Sequence, residues 1–382
     1  MALLVLCDPL YRNSVWCDKK LAGIREESAR RRTPFRLFES PAAFESAAAK
    51  LDETSSVIIL FDNISFIQSI SQMLCRLRIH PILSSIENDL RLPFAFSRAA
   101  WDVDASARIA IDYLHSCGKH KIALVGLNPN SHSDVGRADA MKRYLTSEEL
   151  SVYFAKGDMQ TCFAEFFRTG ADCDAVLCPN DHIAICLSEQ RAAQELPPLF
   201  LISYGDTMMA QLYGNGITSL ATSHFDCGKS AVELHFNRLK NGWSAASLLL
   251  NCQLHVRGST QNIPYGKSSA SLLPLDLTPP HTDMLFSMVT DDVGRIDRLL
   301  AVCDLIDLKI IYCILCGYTY ERIGEFCFLS LEAAKYRVRR IRAAISGQNK
   351  RDVAEVIGTY VNRERLLCVI ETLESSYAGR RL

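Results

Sequence analysis

Over its first 260 residues the chain repeats one unit: a short apolar run, then a stretch whose apolar residues recur at helical spacing. The runs fall at 3–7, 35–38, 56–61, 81–84 and 93–96. The helical stretches fall at 15–30, 42–51 and 66–78, with Trp16, Leu21 and Ile24 sharing one face of the first. A helix with one apolar stripe, set between two strands, buries that stripe by crossing back over the sheet. Successive strands then lie parallel and helices cover both faces. The rhythm restarts near Asp102, with helices at 105–117, 137–145, 163–169 and 182–195 and strands at 121–125, 152–154, 175–178 and 199–203. After Gly216–Leu220, a long helix at 227–240 precedes two short runs, 247–250 and 253–256, which read as a final strand pair. Two such units in series predict an α/β protein of two lobes, each a doubly wound parallel sheet, with a ligand cleft at the carboxyl ends of the strands. Tyr11, Asn13, Trp16 and Asp62 follow strand ends of the first lobe, where that cleft opens.

The last hundred residues carry a different pattern. Leu308, Ile311 and Leu315 recur at helical spacing up to Gly317, a residue suited to a left-handed helix end. Thr319 is placed to cap a short helix carrying Tyr320, Arg322 and Ile323, and Ser330 to cap a third helix. That third helix holds Ala334, Val338 and Ile341 on one face and Lys335, Arg337, Arg339, Arg340 and Arg342 mostly elsewhere, against the single acid Glu332. Helix, short turn, then a helix basic on its outer side is the pattern of a helix-turn-helix DNA reader. Residues early after the Ser330 cap enter the major groove first, so Lys335 and Tyr336 are the expected base readers, and Arg339, Arg340 and Arg342 the phosphate contacts. Further on, Val353, Val356, Ile357, Tyr360, Leu366, Leu367, Ile370 and Leu373 keep roughly helical spacing, as core of this domain or as a dimer seam, with core packing preferred. Pro264, Gly266, Pro274, Pro279 and Pro280, among several Ser and Thr, mark a linker. The expected division is a ligand-sensing domain at 1–262, a linker at 263–282 and a DNA-binding domain at 283–382, with crossovers between lobes near 97–104, 221–226 and 245–250.

The net charge of −1, from 42 basic and 43 acidic residues, confines any affinity for nucleic acid to the basic helix. No apolar run approaches the ~18 residues of a membrane span, and the short run at the N-terminus lacks a basic flank, so a cytoplasmic protein is expected. The fifteen cysteines then act mostly as small buried apolar residues. Cys313 and Cys316 with Cys327 lack a fourth ligand, and no metal or cofactor is expected. There is no phosphate loop and no Gly-x-Ser-x-Gly elbow, and the Asp291–Asp292 pair precedes a helix whose dipole it suits, so no enzymatic activity is expected.

Two resemblances sharpen this picture. Gly317-Tyr318-Thr319-Tyr320-Glu321-Arg322-Ile323-Gly324, followed by Leu329-Ser330, Lys335 and Arg340-Ile341, resembles the C-terminal helix-turn-helix of LuxR-type regulators and the related promoter-reading domain of sigma factors. The likeness extends over about fifty residues, through Asn349-Lys350-Arg351-Asp352, and departs from the pattern at Ala333-Ala334, where the recognition helix usually starts with Thr-Val. Across nearly all of 1–260, four stretches in order resemble the lactose/galactose-repressor family: 107–123, Asp174 to Ala184 with its Asn180-Asp181, Ile217-Thr218-Ser219, and Val256 to Thr260. This implies a periplasmic-binding-protein-like sensor without that family's N-terminal DNA reader, followed by a small all-α helix-turn-helix domain. By position, Arg137, Asn180 and Ser84 match the family's ligand contacts. Gly205 stands where many sugar-binding members have an Asp, with Asp206 next to it. For Asp181 the simpler role is to cap the helix expected from His182.

Together the resemblances imply a one-component transcription regulator. Its partners would be duplex DNA at an operator or promoter, a small polar ligand (a sugar or related metabolite) and a second copy of the chain, with no membrane. The alternative is a response regulator whose receiver domain precedes the LuxR-type reader. Asp8 and Asp62 after strands one and three give it superficial support, but the sensor runs far beyond the length of a receiver.

Overall fold

The computed structural model describes residues 3–48, 56–86, 91–242, 245–261, 291–345 and 350–378. The expected linker at 263–282 lies outside them. The first run of elements is β1 (Leu3–Cys7), α1 (Val15–Arg30), β2 (Phe35–Phe38), α2 (Pro41–Ala48), β3 (Ser56–Leu60), α3 (Ile64–Leu77), β4 (His80–Ile86) and β5 (Ser97–Trp101). The second is α4 (Val103–Ser116), β6 (Ile122–Leu127), α5 (His132–Tyr144), β7 (Leu150–Phe154), α6 (Met159–Thr169), β8 (Ala175–Leu177), α7 (Asp181–Ala193), β9 (Leu201–Tyr204), α8 (Met208–Leu212), β10 (Thr218–Ala221) and α9 (His224–Asn241). The short strands β11 (Ser247–Leu250) and β12 (Gln253–His255) follow.

Two six-stranded sheets result, in the orders β11-β5-β4-β3-β1-β2 and β12-β10-β9-β8-β6-β7. In the first, Leu4 pairs with Val57 and Ile58 with Ile82, all in parallel. β1 and β3 are apolar and buried at nearly every position because a parallel sheet has helices on both faces. The expected α/β architecture of two doubly wound sheets is therefore observed. Two local expectations are corrected. The strand placed at 93–96 lies at 97–101; Leu92, Phe94 and Phe96 pack against the core of the first sheet without joining it. Pro93 lacks a donor for a ladder, whereas Ala99 and Ala100 fit between β4 and β11. Likewise, β11 and β12 do not pair with each other: β11 runs parallel to β5 in one sheet and β12 borders β10 in the other.

The chain forms two compact units. One comprises Met1–Lys156, Arg168–Asp172 and Leu220–Leu254; the other comprises Gly157–Phe167, Cys173–Ser219 and His255–Leu382. In the first, α1 lies directly on α9. A side chain at Gly23 would meet the Phe225 carbonyl oxygen at 1.9 Å, and one at Gly228 the Lys20 carbonyl oxygen at 2.1 Å. Bare backbone at both positions lets the two helices touch and carries the N-terminal turn of α9 beside that of α1.

The second unit includes a bundle of α10 (Asp291–Val302), α11 (Leu305–Leu315), α12 (Tyr320–Cys327), α13 (Leu331–Ala344), α14 (Lys350–Tyr360) and α15 (Arg363–Ala378). Its core gathers Ile311, Ile314, Ile323, Val338, Ile341, Val353, Ile357, Leu366 and Ile370 around α11. Val353, Ile357, Leu366 and Ile370 of the tail are thus core residues of the bundle. Among the described residues no helix is long and apolar enough to cross a membrane.

Candidate functional sites

In the first unit, the loop after β1 is closed by Asp8, whose carboxylate accepts from the Leu10 amide at 3.0 Å. Ser14 then caps α1 by accepting from the Cys17 amide. These turns set the Tyr11 ring 5.6 Å from Trp16. Trp16 lies 6.3 Å from His224 at the start of α9, and His224 stands edge-on to Trp101 at 5.8 Å. Lys20, one turn into α1, places its ammonium 4.8 Å from the Trp16 ring and donates to the Ser84 carbonyl at 2.8 Å. Burial holds His224 neutral, and the positive charges of Lys20, Lys19 and Arg137 add to the effect. Its Nδ1 has no hydrogen-bond partner among the described residues. Three aromatic faces, a neutral imidazole and the Lys20 ammonium thus lie together at the ends of β1 and β5. Such a surface stacks on a small planar or polar molecule and attracts negative charge.

The other expected ligand residues of this unit have different surroundings. Asp62 accepts from the Ser131 hydroxyl at 2.6 Å and from the Ser133 amide and hydroxyl at 3.0 and 2.5 Å, tying the loop after β3 to the start of α5. Arg137 donates to Asp134 at 2.9 Å. Asp134 also accepts from the Asn128 amide, and burial raises its pKa to about 6 despite Arg137. Asn13 is exposed on its turn. Ser84 is fully buried in β4, its hydroxyl 3.2 Å from the Cys227 thiol.

In the second unit, Asn180 is the cap of α7, accepting from the Ile183 amide at 3.0 Å. Asp181 is therefore not the cap that the sequence suggested. It occupies the first helical position and is buried, accepting from the Ser203 hydroxyl, from Ser219 at 2.9 Å and from the Thr207 amide at 2.7 Å. Burial raises its pKa even against these donors. Gly205, at φ +122°, passes this carboxylate closely. Asp206 follows in the left-handed region and binds Arg257 at 2.5 Å and His255 at 2.8 Å. Lys20, Trp101, His224 and the Asp181 network were not legible as site residues in the sequence. The spacing of residues in sequence carries no trace of the first three coming together, because α1, β5 and α9 are far apart along the chain.

The two helices of the expected DNA reader are α12 and α13. Thr319 caps α12 through the Arg322 amide, and Ser330 caps α13 through the Ala333 amide at 3.2 Å. Phe328 makes the turn between them in the left-handed region and is 91% exposed. Ala334, Val338 and Ile341 face the core, leaving Tyr336 66% exposed and Arg339 on the surface. The basic residues divide into two groups. Arg337 donates to Asp304 and, at 2.7 Å, to buried Asp307, and Arg340 also binds Asp307. These two arginines pin α13 to the start of α11. Lys335 pairs with Glu332 on its own helix, Arg322 lies 4.0 Å from the Tyr318 ring, and the Lys350 ammonium is 5.2 Å from Tyr320. Cys313 is buried beside Cys327, and no group of three His, Cys, Asp or Glu among the described residues is arranged to hold a metal ion.

No protein-family model and no curated protein sequence matches the chain. Solved structures do. A LacI family transcriptional regulator from Enterococcus faecium with bound ribose superposes at a TM-score of 0.54 and 17% identity, over 68% of this chain and 99% of that one. The transcriptional regulator CelR in complex with cellobiose gives 0.56 and 16%, over 67% and 84%. The Lac repressor bound to ONPG in its repressed state gives 0.55 and 15%, over 68% and 82%. At these identities the likeness establishes the fold, the two-lobed periplasmic-binding-protein-like arrangement of LacI-type sensor domains.

Proposed function

We propose that the chain is a ligand-responsive, DNA-binding transcription regulator, with the α/β part (1–262) as sensor and the helical part (283–382) as reader. The observation that carries this reading is the capped pair α12–α13. It turns an exposed Tyr336 and Arg339 outward from a packed bundle, on a chain whose other part has the LacI-type sensor fold. The DNA surface comprises Thr319, Tyr320, Arg322, Ser330, Lys335, Tyr336, Arg339 and Arg342, with Arg337 and Arg340 fixing the helix that presents it. The ligand is a small polar molecule held in the first unit by Tyr11, Trp16 and Arg137 with Trp101 and His224. The Lys20 ammonium beside Trp16 favours an anionic group on that ligand over bare sugar hydroxyls. A single reader spans too few base pairs for selectivity, so the active species is a homodimer.

The test is a salt titration of the full chain against a random duplex and against duplexes enriched from a random library by repeated binding. Affinity should fall log-linearly with salt, and Arg339→Ala should flatten the slope by about 0.9. Salt-independent or absent binding by the folded protein would refute the reading.

A further inference from the structure

The five-residue helix α8 joins two networks. At its start, Thr207 caps it, accepting from the Ala210 amide, while the Thr207 amide donates to buried Asp181. Asp181 and Asp206 belong to the loops that follow β8 and β9, which also carry Asn180. At its end, the carbonyls that a helix leaves without internal partners are taken by the bundle. The Asn362 amide donates to the Leu212 carbonyl at 2.7 Å, and Arg365 donates to the Gln211 carbonyl and, at 2.9 Å, to the Asn215 carbonyl. Asn362 is also the cap of α15, accepting from the Arg365 amide, so the end of one helix is sewn to the start of the other. A guanidinium at a helix C-terminus also complements its dipole.

A third strand of contact runs beside this one. Arg257, which binds Asp206, passes over Gly216 from one side and Arg365 from the other. A side-chain carbon at Gly216 would lie 2.8 Å from Arg257 Cδ and 2.7 Å from Arg365 Nη2, and its φ of +82° disfavours one in any case. Finally, His182, in the first turn of α7, pairs with Asp297 of α10 at 3.2 Å.

We propose that α8 is the transmission element between sensor and reader: a short rigid lever whose N-terminal end is held by the Asp181–Asp206 loops and whose C-terminal end holds α15. A change in these loops then reaches the reader directly. This rests on the functional reading for what is transmitted, but the mechanical coupling does not require DNA. A coupling of this kind is reciprocal, so disturbance at either end appears at the other.

The experiment is hydrogen exchange on the full chain. Arg365→Ala should speed exchange of the Tyr213, Gly216 and Ile217 amides at least tenfold and carry the effect to the Thr207 amide, with Arg365→Lys intermediate. Asp206→Asn should in turn speed exchange at Asn362 and Leu366. Should Arg365→Ala prove globally unfolded, His182→Gln, which leaves α8 itself intact, takes its place and should loosen the Thr207 amide and α10 together. If the variants change exchange only in the element mutated, α8 is an ordinary packed helix and the proposal is overturned. Duplex binding separates the two levels. Arg365→Ala should weaken it at least threefold with an unchanged salt slope, whereas an Arg365 that touched phosphate would lower the slope by about 0.9. A wild type that does not bind DNA refutes the regulator reading, and the exchange data still decide the coupling.

Discussion

Glu27 is the most strongly held carboxylate on α1. Its side chain is 1% exposed and accepts from Arg30 and Arg31 at 2.5–2.6 Å. The Arg30 hydrogen bonds, with Arg31 behind them, lower its pKa to about 2 against the resistance of burial. Arg31 in turn lies 4.7 Å from the Phe236 ring on α9, so the carboxylate fixes a contact between the two helices. A depressed carboxylate stabilises the fold above its unfolded pKa of about 4.5 and loses that contribution as pH falls toward 2. Glu27→Gln should therefore cost about 2 kcal/mol at pH 7, discounted for the exposure of Arg30. Urea unfolding of both proteins at pH 7 and pH 3 tests this: the gap should narrow to about half or less at pH 3, and a pH-independent gap would make the effect one of packing.

At the scale of elements, α13 shows how a basic helix divides its charges between fold and function. Asp304 and Asp307 form a capping box at the start of α11, and Asp307 is fully buried. Arg337 and Arg340 meet it there from the far side of α13. Removing Arg337 strips a buried carboxylate of one partner, whereas Arg339 is exposed and no hydrogen bond or ion pair of it is seen among the described residues. Arg337→Ala should destabilise the bundle by about 1–3 kcal/mol, and Arg339→Ala by less than about 0.5. Thermal unfolding of the two variants distinguishes these roles; equal shifts would show that Asp307 needs only Arg340. The sequence placed five cations on this helix but could not sort them, since Asp304 and Asp307 lie about thirty residues away in sequence. The caps at Thr319 and Ser330 were legible because a cap and its amide are three residues apart.

For the chain as a whole, the junction within the second unit carries a pH dependence. His182 is flanked by Asp297, Asp181 and Arg298. Burial alone would lower its pKa and Arg298 adds to that, but the adjacent Asp297 carboxylate, with Asp181, outweighs both and raises it. A raised histidine stabilises the docked bundle fully below its unfolded pKa of 6.5, and that stabilisation is lost as pH rises through the folded value. Exchange of α10 amides in the full chain, corrected for intrinsic rate, should therefore quicken between pH 6 and pH 8.5, and His182→Gln should abolish the difference. An identical pH response in that variant would assign the effect elsewhere.

The sequence by itself determined the elements and their class. Alternating apolar runs and helical stripes are local patterns, set by the two-residue and 3.6-residue repeats of the backbone, and nearly every strand and helix stands where those repeats put it. The tertiary structure alone decided what depends on distant residues meeting. It sends β11 and β12 to different sheets, although only two residues separate them, because each finds its partner strand elsewhere. It buries Asp181 beside Ser203 and Ser219, closes Asp62 onto Ser131 and Ser133, and brings Trp16, Trp101 and His224 to one point. It also sews Arg365 to the end of α8, across about 150 residues of chain. Burial and hydrogen-bond partnership are properties of surroundings assembled from the whole fold, and no local repeat encodes them.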